Sequence, residues 1–337
     1  MKIVFFGSSE FSIPILEALL SSNDQVAQVV TTPDKPKGRG QKVTPSVVKS
    51  YAEKKHISAI TPNKLNQPDV LDGIKNLKPD FLVVASYGKL VPDSLLKIPK
   101  VIPLNVHPSL IPKYRGASPI QSAILAGDKT TGLTIMEVTD RLDAGDIFGQ
   151  IETPIDEVEN ALQLSERLAH LGADLLLKVV AQFKQDKVSR TPQDDSKASY
   201  AKKIERDSGR IDWMKPASLI HNQVRAYYPW PSAYTFFRGK RLKILKTKLD
   251  SVRHCESRRD EAISKIEIAA SASRPPRNDG SGVPGTIVIN EFAKTVCVQT
   301  RSGFLEILQV QREGKREMTS FEFALGQRIK PNERFES

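Results

Sequence analysis

A chain of 337 residues, 39% hydrophobic and 26% charged, has room for two cores and the composition of an ordinary globular protein in water. No apolar run approaches the roughly 20 residues that cross a bilayer, and the opening, Lys2 and then only four apolar residues, does not read as a secretory signal. Net charge is +11 but lopsided, with 22 Lys/Arg against 21 Asp/Glu in residues 1–189 and 28 against 18 in residues 190–337. So basic a second half points to a separate domain that meets a polyanion, although a merely soluble basic domain would have the same count.

Met1–Phe6 is a buried-strand run ending in a Gly7-Ser-Ser-Glu turn, and Phe11, Ile15, Ala18 and Leu19 follow at helical spacing. A strand, a glycine turn and a helix open a doubly wound α/β domain. Gly7 belongs to no GxGxxG, so a dinucleotide site is not supported. After a second strand at Val26–Thr31, Thr32–Pro45 is a long loop with three prolines, two glycines and four basic residues, Lys35, Lys37, Arg39 and Lys42. Basic residues among glycines can approach phosphates closely, and a plain solvated loop would have the same composition. Pro45–Lys55 has the spacing of an amphipathic helix, and Asp80–Ser86 that of a central strand.

The most informative stretch follows. Val101–Val106 is an apolar run of strand length, and Pro119–Gly127 reads as a helix with Ser118 at its N-cap. Asn105 and His107 alternate with Val106 and so share one face at the strand's C-terminal end, where open α/β sheets place their ligands. Alone, a histidine at a strand end is more often structural, and an asparagine there can simply cap a turn. Asp143 changes the reading. It lies in a polar loop, Thr139–Asp146, between strand-like runs at Gly132–Thr139 and Ile147–Ile155. An amide and an imidazolium can hold a developing oxyanion while a carboxylate orients the imidazole and manages protons, the ingredients of an acyl-transfer site. Asp140, Asp143 and Asp146 lack the order of a calcium loop, and no metal site is expected.

Leu162–Phe183 is a long helix with one leucine-rich core face, and the polar run from Ser189 reads as a linker. The expected division is a domain at 1–189, a linker at 190–206 and a domain at 207–337. Short strands at Arg241–Lys248, Gly285–Asn290, Thr295–Thr300 and Phe304–Gln309 suit a small barrel. Lys243 and Lys246 alternate with apolar residues and face either a phosphate backbone or plain solvent. Residues 250–283, rich in Ser, Arg, Ala and Pro, read as a disordered insert. Cys255 and Cys297 form no CxxC and read as unpaired thiols of a reducing cytoplasm.

Asn105–Asp128 (NVHPSLIPKYRGASPIQSAILAGD) followed by Thr131–Ile147 (TGLTIMEVTDRLDAGDI) resembles the signature of the 10-formyltetrahydrofolate-dependent formyltransferases. The similarity extends from Met1–Ser12 to Glu322–Gly326. It implies a Rossmann-like α/β catalytic domain followed by an OB-like β-barrel. It also implies transfer of the formyl group of 10-formyltetrahydrofolate to the amino group of initiator methionyl-tRNA, with Asn105, His107 and Asp143 catalytic. The folate would lie against Ser86, Tyr87 and Gly88 and the loop Ser109, Leu110, Ile111 and Pro112. Lys35, Lys37, Arg39 and Lys42 would then form a basic insertion that reaches the acceptor stem, Arg39 foremost, with Lys243 and Lys246 on the tRNA backbone. A monomer in a bacterial-type cytoplasm, without metal or membrane, completes the expectation. Two small departures are Ile111, where leucine is usual, and Ser232, where glycine is usual; the insert at 250–283 is a larger one. A formyltransferase acting on an amino sugar would share the catalytic trio but has no use for the basic loop or the basic second half. An RNA-binding protein with a dead transferase domain would have no reason to keep the trio.

Overall fold

In the computed structural model, residues 1–37, 40–249, 283–330 and 333–337 are described. Arg39 and, apart from Val283, the insert at 250–283 lie outside the described residues. The chain divides into two compact units. One comprises Met1–Ala123, Lys129–Ile155 and Gln163–Lys203, and the other Ile124–Asp128, Asp156–Leu162 and Ile204–Ser337.

The first unit is built on near-continuous apolar strands. β1 (Lys2–Gly7) and β2 (Gln25–Val30) are followed by the short β3 (Lys35–Lys37), β4 (Lys42–Thr44) and β5 (Ala59–Ile60), then by β6 (Phe81–Ala85) and β7 (Ile102–His107). β8 (Arg115–Gly116), β9 (Thr130–Glu137), β10 (Ile147–Pro154) and β11 (Tyr200–Ala201) complete the unit's strands. The main sheet has the order β10-β9-β7-β6-β1-β2-β5. β5, β2, β1, β6 and β7 run parallel, and β9 and β10 extend the sheet antiparallel. Ile3, Val4, Phe5, Phe6, Phe81, Leu82 and Val83 have no exposed surface, as expected for interior parallel strands covered on both faces by helices. This is the parallel-sheet α/β arrangement expected from sequence. Strand order reverses between β2 and β6 on either side of β1, so the carboxyl ends of β1, β6 and β7 form the crevice such sheets use for ligands. Registers Gly7↔Ala85 and Val84↔Asn105 bring those ends together.

Two described parts of the basic loop at 32–45 pair with each other where its composition suggests plain loop. Lys35, Pro36 and Lys37 pair antiparallel with Thr44, Val43 and Lys42 as a two-stranded ribbon. A proline is tolerated there because a ribbon strand has an unpaired edge needing no N–H. Its base is tied by the ion pair of Asp34 with Lys49, 2.8 Å, on the helix Val47–Lys54. Ser46 caps that helix by accepting the Lys49 N–H at 3.0 Å.

The second unit carries an antiparallel sheet of β12 (Ala233–Phe237), β13 (Lys240–Leu249), β14 (Ile287–Asn290), β15 (Thr295–Gln299), β16 (Phe304–Arg312) and β17 (Glu317–Thr319). The order is β12-β13-β16-β15-β14, with β17 on β16. Single bridges, Phe236 with Glu336 and Thr286 with Arg334, link the tail of the chain to both ends of that sheet. Trp213 is buried at the centre, stacked on Phe335 and donating Nε1–H to Thr235 Oγ1 at 3.0 Å. Ser232 lies at φ 68, in the left-handed region that explains why glycine is usual there, and its hydroxyl donates to Pro229 O at 2.7 Å. The register of β13 on β16 shifts around Lys246. That bulge lets Lys243 and Lys246, three residues apart, both stay off the buried face that carries Ile244 and Thr247.

Candidate active site

Asn105 and His107 emerge side by side from the carboxyl end of β7, and Asp143 comes from the turn between β9 and β10. The three meet. Asn105 Nδ2 donates to Asp143 Oδ1 at 3.2 Å, and His107 Nδ1 lies 3.7 Å from Asp143 Oδ2. The backbone N–H of Gly116 donates to Asp143 Oδ2 at 2.8 Å. His107 is 4% exposed and the Asp143 side chain 14%, so the carboxylate is largely screened but still reached by solvent.

The tautomer of His107 follows from its partners. Nε2 lies 3.0 Å from the carbonyl oxygen of Tyr114, which can only accept, so Nε2 carries the proton. The nitrogen left to meet a reacting group is therefore Nδ1, on the Asp143 side. Sequence alone left this open.

The loop after β7 is stiffened from within. Thr134 Oγ1 donates to Ser109 O at 2.7 Å and accepts from the Ile111 N–H at 3.2 Å and from Gln150 Nε2 at 2.9 Å. Gln150 Nε2 also donates to Ile111 O at 2.8 Å, and Ser109 Oγ to Lys113 O at 2.6 Å. Ser109 and Ile111 are accordingly buried, while Leu110 and Pro112 keep partial exposure. Ser118 stands at the N-cap position of the helix Pro119–Ala126, its carbonyl accepting the Ser122 N–H at 3.0 Å, and its hydroxyl donates to Lys202 O. Among the candidate folate residues after β6, Ser86 (φ 49) and Gly88 (φ 79) are exposed in a turned backbone. The Tyr87 ring is 2% exposed, edge-on to Phe6 in the sheet core, so its side chain is packing rather than lining. Burial pushes its phenol up to about 12.

The sequence reading missed a second layer of residues. Residues 190–203, expected to be a linker, pack onto the first unit as part of it. β11 pairs parallel with β8, in the registers Tyr200↔Arg115 and Ala201↔Gly116. Gln193 Nε2 donates to Asp143 O at 3.0 Å and Gly145 O at 2.6 Å. Gln193 Oε1 accepts from Arg115 Nε at 3.1 Å and Nη2 at 2.6 Å. Arg115, 1% exposed, also pairs with Asp195 at 2.7 Å, and Arg141 binds the other Asp195 oxygen at 2.6 Å. Hydrogen bonds from Arg141 and Arg115 hold the Asp195 carboxyl below its usual range. A polar stretch reads as a linker when its partners lie some 80 residues away in sequence, and no local pattern announces them. Of the basic residues, Lys35 and Lys42 are exposed on the ribbon, and Lys246 on β13.

Residues 1–180 match the family model described as formyl transferase, and residues 203–328 match the formyl transferase C-terminal domain. The chain is 39% identical to a methionyl-tRNA formyltransferase of Sulfurihydrogenibium sp. (strain YO3AOP1) over 100% of both chains. It is 41% identical to that of Syntrophomonas wolfei over 98% of this chain and 97% of the relative. Among solved structures, an N-formyltransferase from Helicobacter canadensis in complex with folinic acid and dTDP-3-aminofucose aligns with a TM-score of 0.60 at 20% identity, covering 93% of this chain and 99% of that one. The methionyl-tRNA formyltransferase from Clostridium thermocellum aligns with a TM-score of 0.52 at 14% identity, covering 74% and 94%. At such identities the structural likeness is one of fold. With a family match over more than half its length and full-length relatives at 39% and 41% identity, the chain belongs to the formyl transferase family.

Proposed function

We propose that this chain transfers the formyl group of 10-formyltetrahydrofolate to the free amino group of methionyl-tRNA, giving the formylated initiator tRNA of translation. The observation that carries the chemistry is the convergence of Asn105, His107 and Asp143 at the carboxyl end of β7. The exposed, turned backbone at Ser86 and Gly88, beside the trio at the switch point of the sheet, fits a folate donor. Leu110 and Pro112 offer it apolar contact, and Ser109 and Ile111 hold the loop's shape. The folate supplies the formyl carbon.

The chain's residues divide the rest of the work. An amide NH2 has two donors; Asn105 gives one to Asp143 and keeps one for an acyl oxygen as negative charge develops there. His107, held through Nε2, presents Nδ1 toward the same space. Asp143 orients the Asn105 amide and takes the proton that the attacking α-amine must lose, since an α-amine titrates near 8 and attacks only when neutral; as the amine–formyl bond forms and the bond from the formyl carbon to the folate nitrogen breaks, that proton passes to the departing nitrogen.

The second unit, read as an OB-like barrel, and the basic ribbon of the first divide the tRNA between them in this reading. Lys243 and Lys246 take backbone phosphates, while Lys35, Lys37, Lys42 and Arg39 (outside the described residues) address the acceptor end. The excess positive charge after residue 189 supports the assignment. One chain supplies the whole trio, in keeping with a monomer acting in the bacterial cytoplasm. The test is incubation of the purified chain with 10-formyltetrahydrofolate and either charged initiator tRNA or dTDP-linked amino sugars. Formyl-methionyl-tRNA is the expected product; formylated sugar without formylated tRNA would overturn the assignment.

A further inference from the structure

Asp143 is a non-glycine residue at φ 48, a left-handed backbone state that an aspartate keeps when its surroundings hold it there. Its carboxylate is steered by Asn105 and Gly116, but those contacts act on the side chain. The backbone is gripped from elsewhere. Gln193 spans the turn with one amide nitrogen, donating to the carbonyls of Asp143 and Gly145. Its orientation is not free to reverse. Arg115 has only donors, so the atom facing it must be the Gln193 oxygen, and the NH2 is left facing two carbonyls that only accept. A flipped amide would set donors against donors and oxygen against oxygen. Arg115 itself is buried and fixed by Asp195, which also binds Arg141 on the Asp143 loop.

We infer that Gln193, oriented by Arg115, is a positioning residue for formyl transfer: it clamps the backbone of the Asp143 loop so that the carboxylate stays between Asn105 and His107. This rests on the catalytic reading of Asp143 given above. Gln193 touches no reacting atom, so its loss should affect turnover through Asp143 and leave the binding of both substrates largely alone.

Gln193→Glu is the sharpest variant. It keeps an oxygen on Arg115 and replaces the two donors by oxygen that repels the Asp143 and Gly145 carbonyls. Gln193→Met removes the clamp without adding charge, and decides the matter if the first variant folds poorly. The expected result is a kcat at least about 10-fold lower, with KM for charged tRNA and for the folate within about threefold, and a Tm that, though lowered, leaves the variant fully folded at the assay temperature. Faster amide exchange in residues 138–147 should accompany it. In an Asp143→Asn background the same change should lower the residual kcat by less than about twofold, because the two residues act as one unit. Parent-like kcat in both Gln193 variants beside a crippled Asp143→Asn overturns the positioning role alone. So does a further loss of about 10-fold in the double variant, which would mean independent action. Near-normal turnover of Asp143→Asn by itself would overturn the catalytic reading first, and the clamp with it.

Discussion

Asparagine tolerates the left-handed backbone of position 143 about as well as aspartate, so Asp143→Asn should keep the loop in place while removing the charge. Asn105→Ala likewise removes a part-buried amide without changing the charge. Both variants should melt within a few degrees of the parent and lose at least ~100-fold in turnover, the scale of a missing oxyanion donor or proton carrier. Initial-rate assays with charged tRNA check this, and near-normal turnover in either sinks the assigned roles. Tyr87 makes a separate residue-scale prediction. Its phenol is pushed up to about 12 by burial, whereas an unfolded chain ionises it near 10. Its contribution to stability is therefore whole below pH 10 and is lost as pH rises through about 12. Tyr87→Phe should flatten the alkaline limb of a denaturation series above pH 10 and leave stability at pH 7 equal or slightly higher, since the hydroxyl has no hydrogen-bond partner among the described residues. A steeper alkaline loss in the variant would contradict this. At this scale the grouping of Asn105, His107 and Asp143 was legible, because strand alternation and a short polar loop are local signals. Arg115 and Gln193 were not, because a buried arginine and a glutamine in a polar run carry no local mark.

Elements show the same divide. β1, β6 and β7 could be read as apolar runs, and the helix Val47–Lys54 from its amphipathic spacing. The ribbon of β3 and β4 was hidden by its proline, lysines and glycines, which resemble loop. The C-terminal helix Ser320–Gln327 has a readable start that went unused: Thr319 and Glu322 form a reciprocal capping box. The two-residue strands β8 and β11 are beyond any periodicity argument, yet they hold Gly116 against the Asp143 carboxylate. Gly116 has φ 114, and a Cβ on it would lie 2.7 Å from Ala201 O. Gly116→Ala must therefore part the two strands or strain the backbone, at a cost of about 2 kcal/mol or more. Turnover should fall with it, because the N–H aimed at Asp143 moves. Chemical denaturation and rate assays on one preparation would test this; unchanged stability would show that β8 and β11 separate freely.

Across the whole molecule, charge is the property sequence reported most simply and structure refines least. The excess of Lys/Arg after residue 189 needs no fold to be seen, but the bulge in β13 that keeps Lys243 and Lys246 off the buried face does. If phosphate contacts supply most of the affinity, binding of charged tRNA by the full chain should weaken steeply with salt, with a log–log slope of roughly −0.7 to −0.9 per contacted phosphate. Lys243→Ala with Lys246→Ala should shallow that slope by about 1.4 to 1.8. A slope near zero in the parent, measured by filter binding at several salt concentrations, would remove the polyanion argument. The pairing of β11 with β8 has a further consequence, for inheritance. Recombination that exchanges second domains between relatives would leave a working transferase only if the crossover falls beyond Lys203. A join near residue 189 would set one parent's Arg115 and Gly116 against another parent's Gln193, Asp195 and Ala201. The segment that reads as a linker in composition travels, in descent, with the first unit.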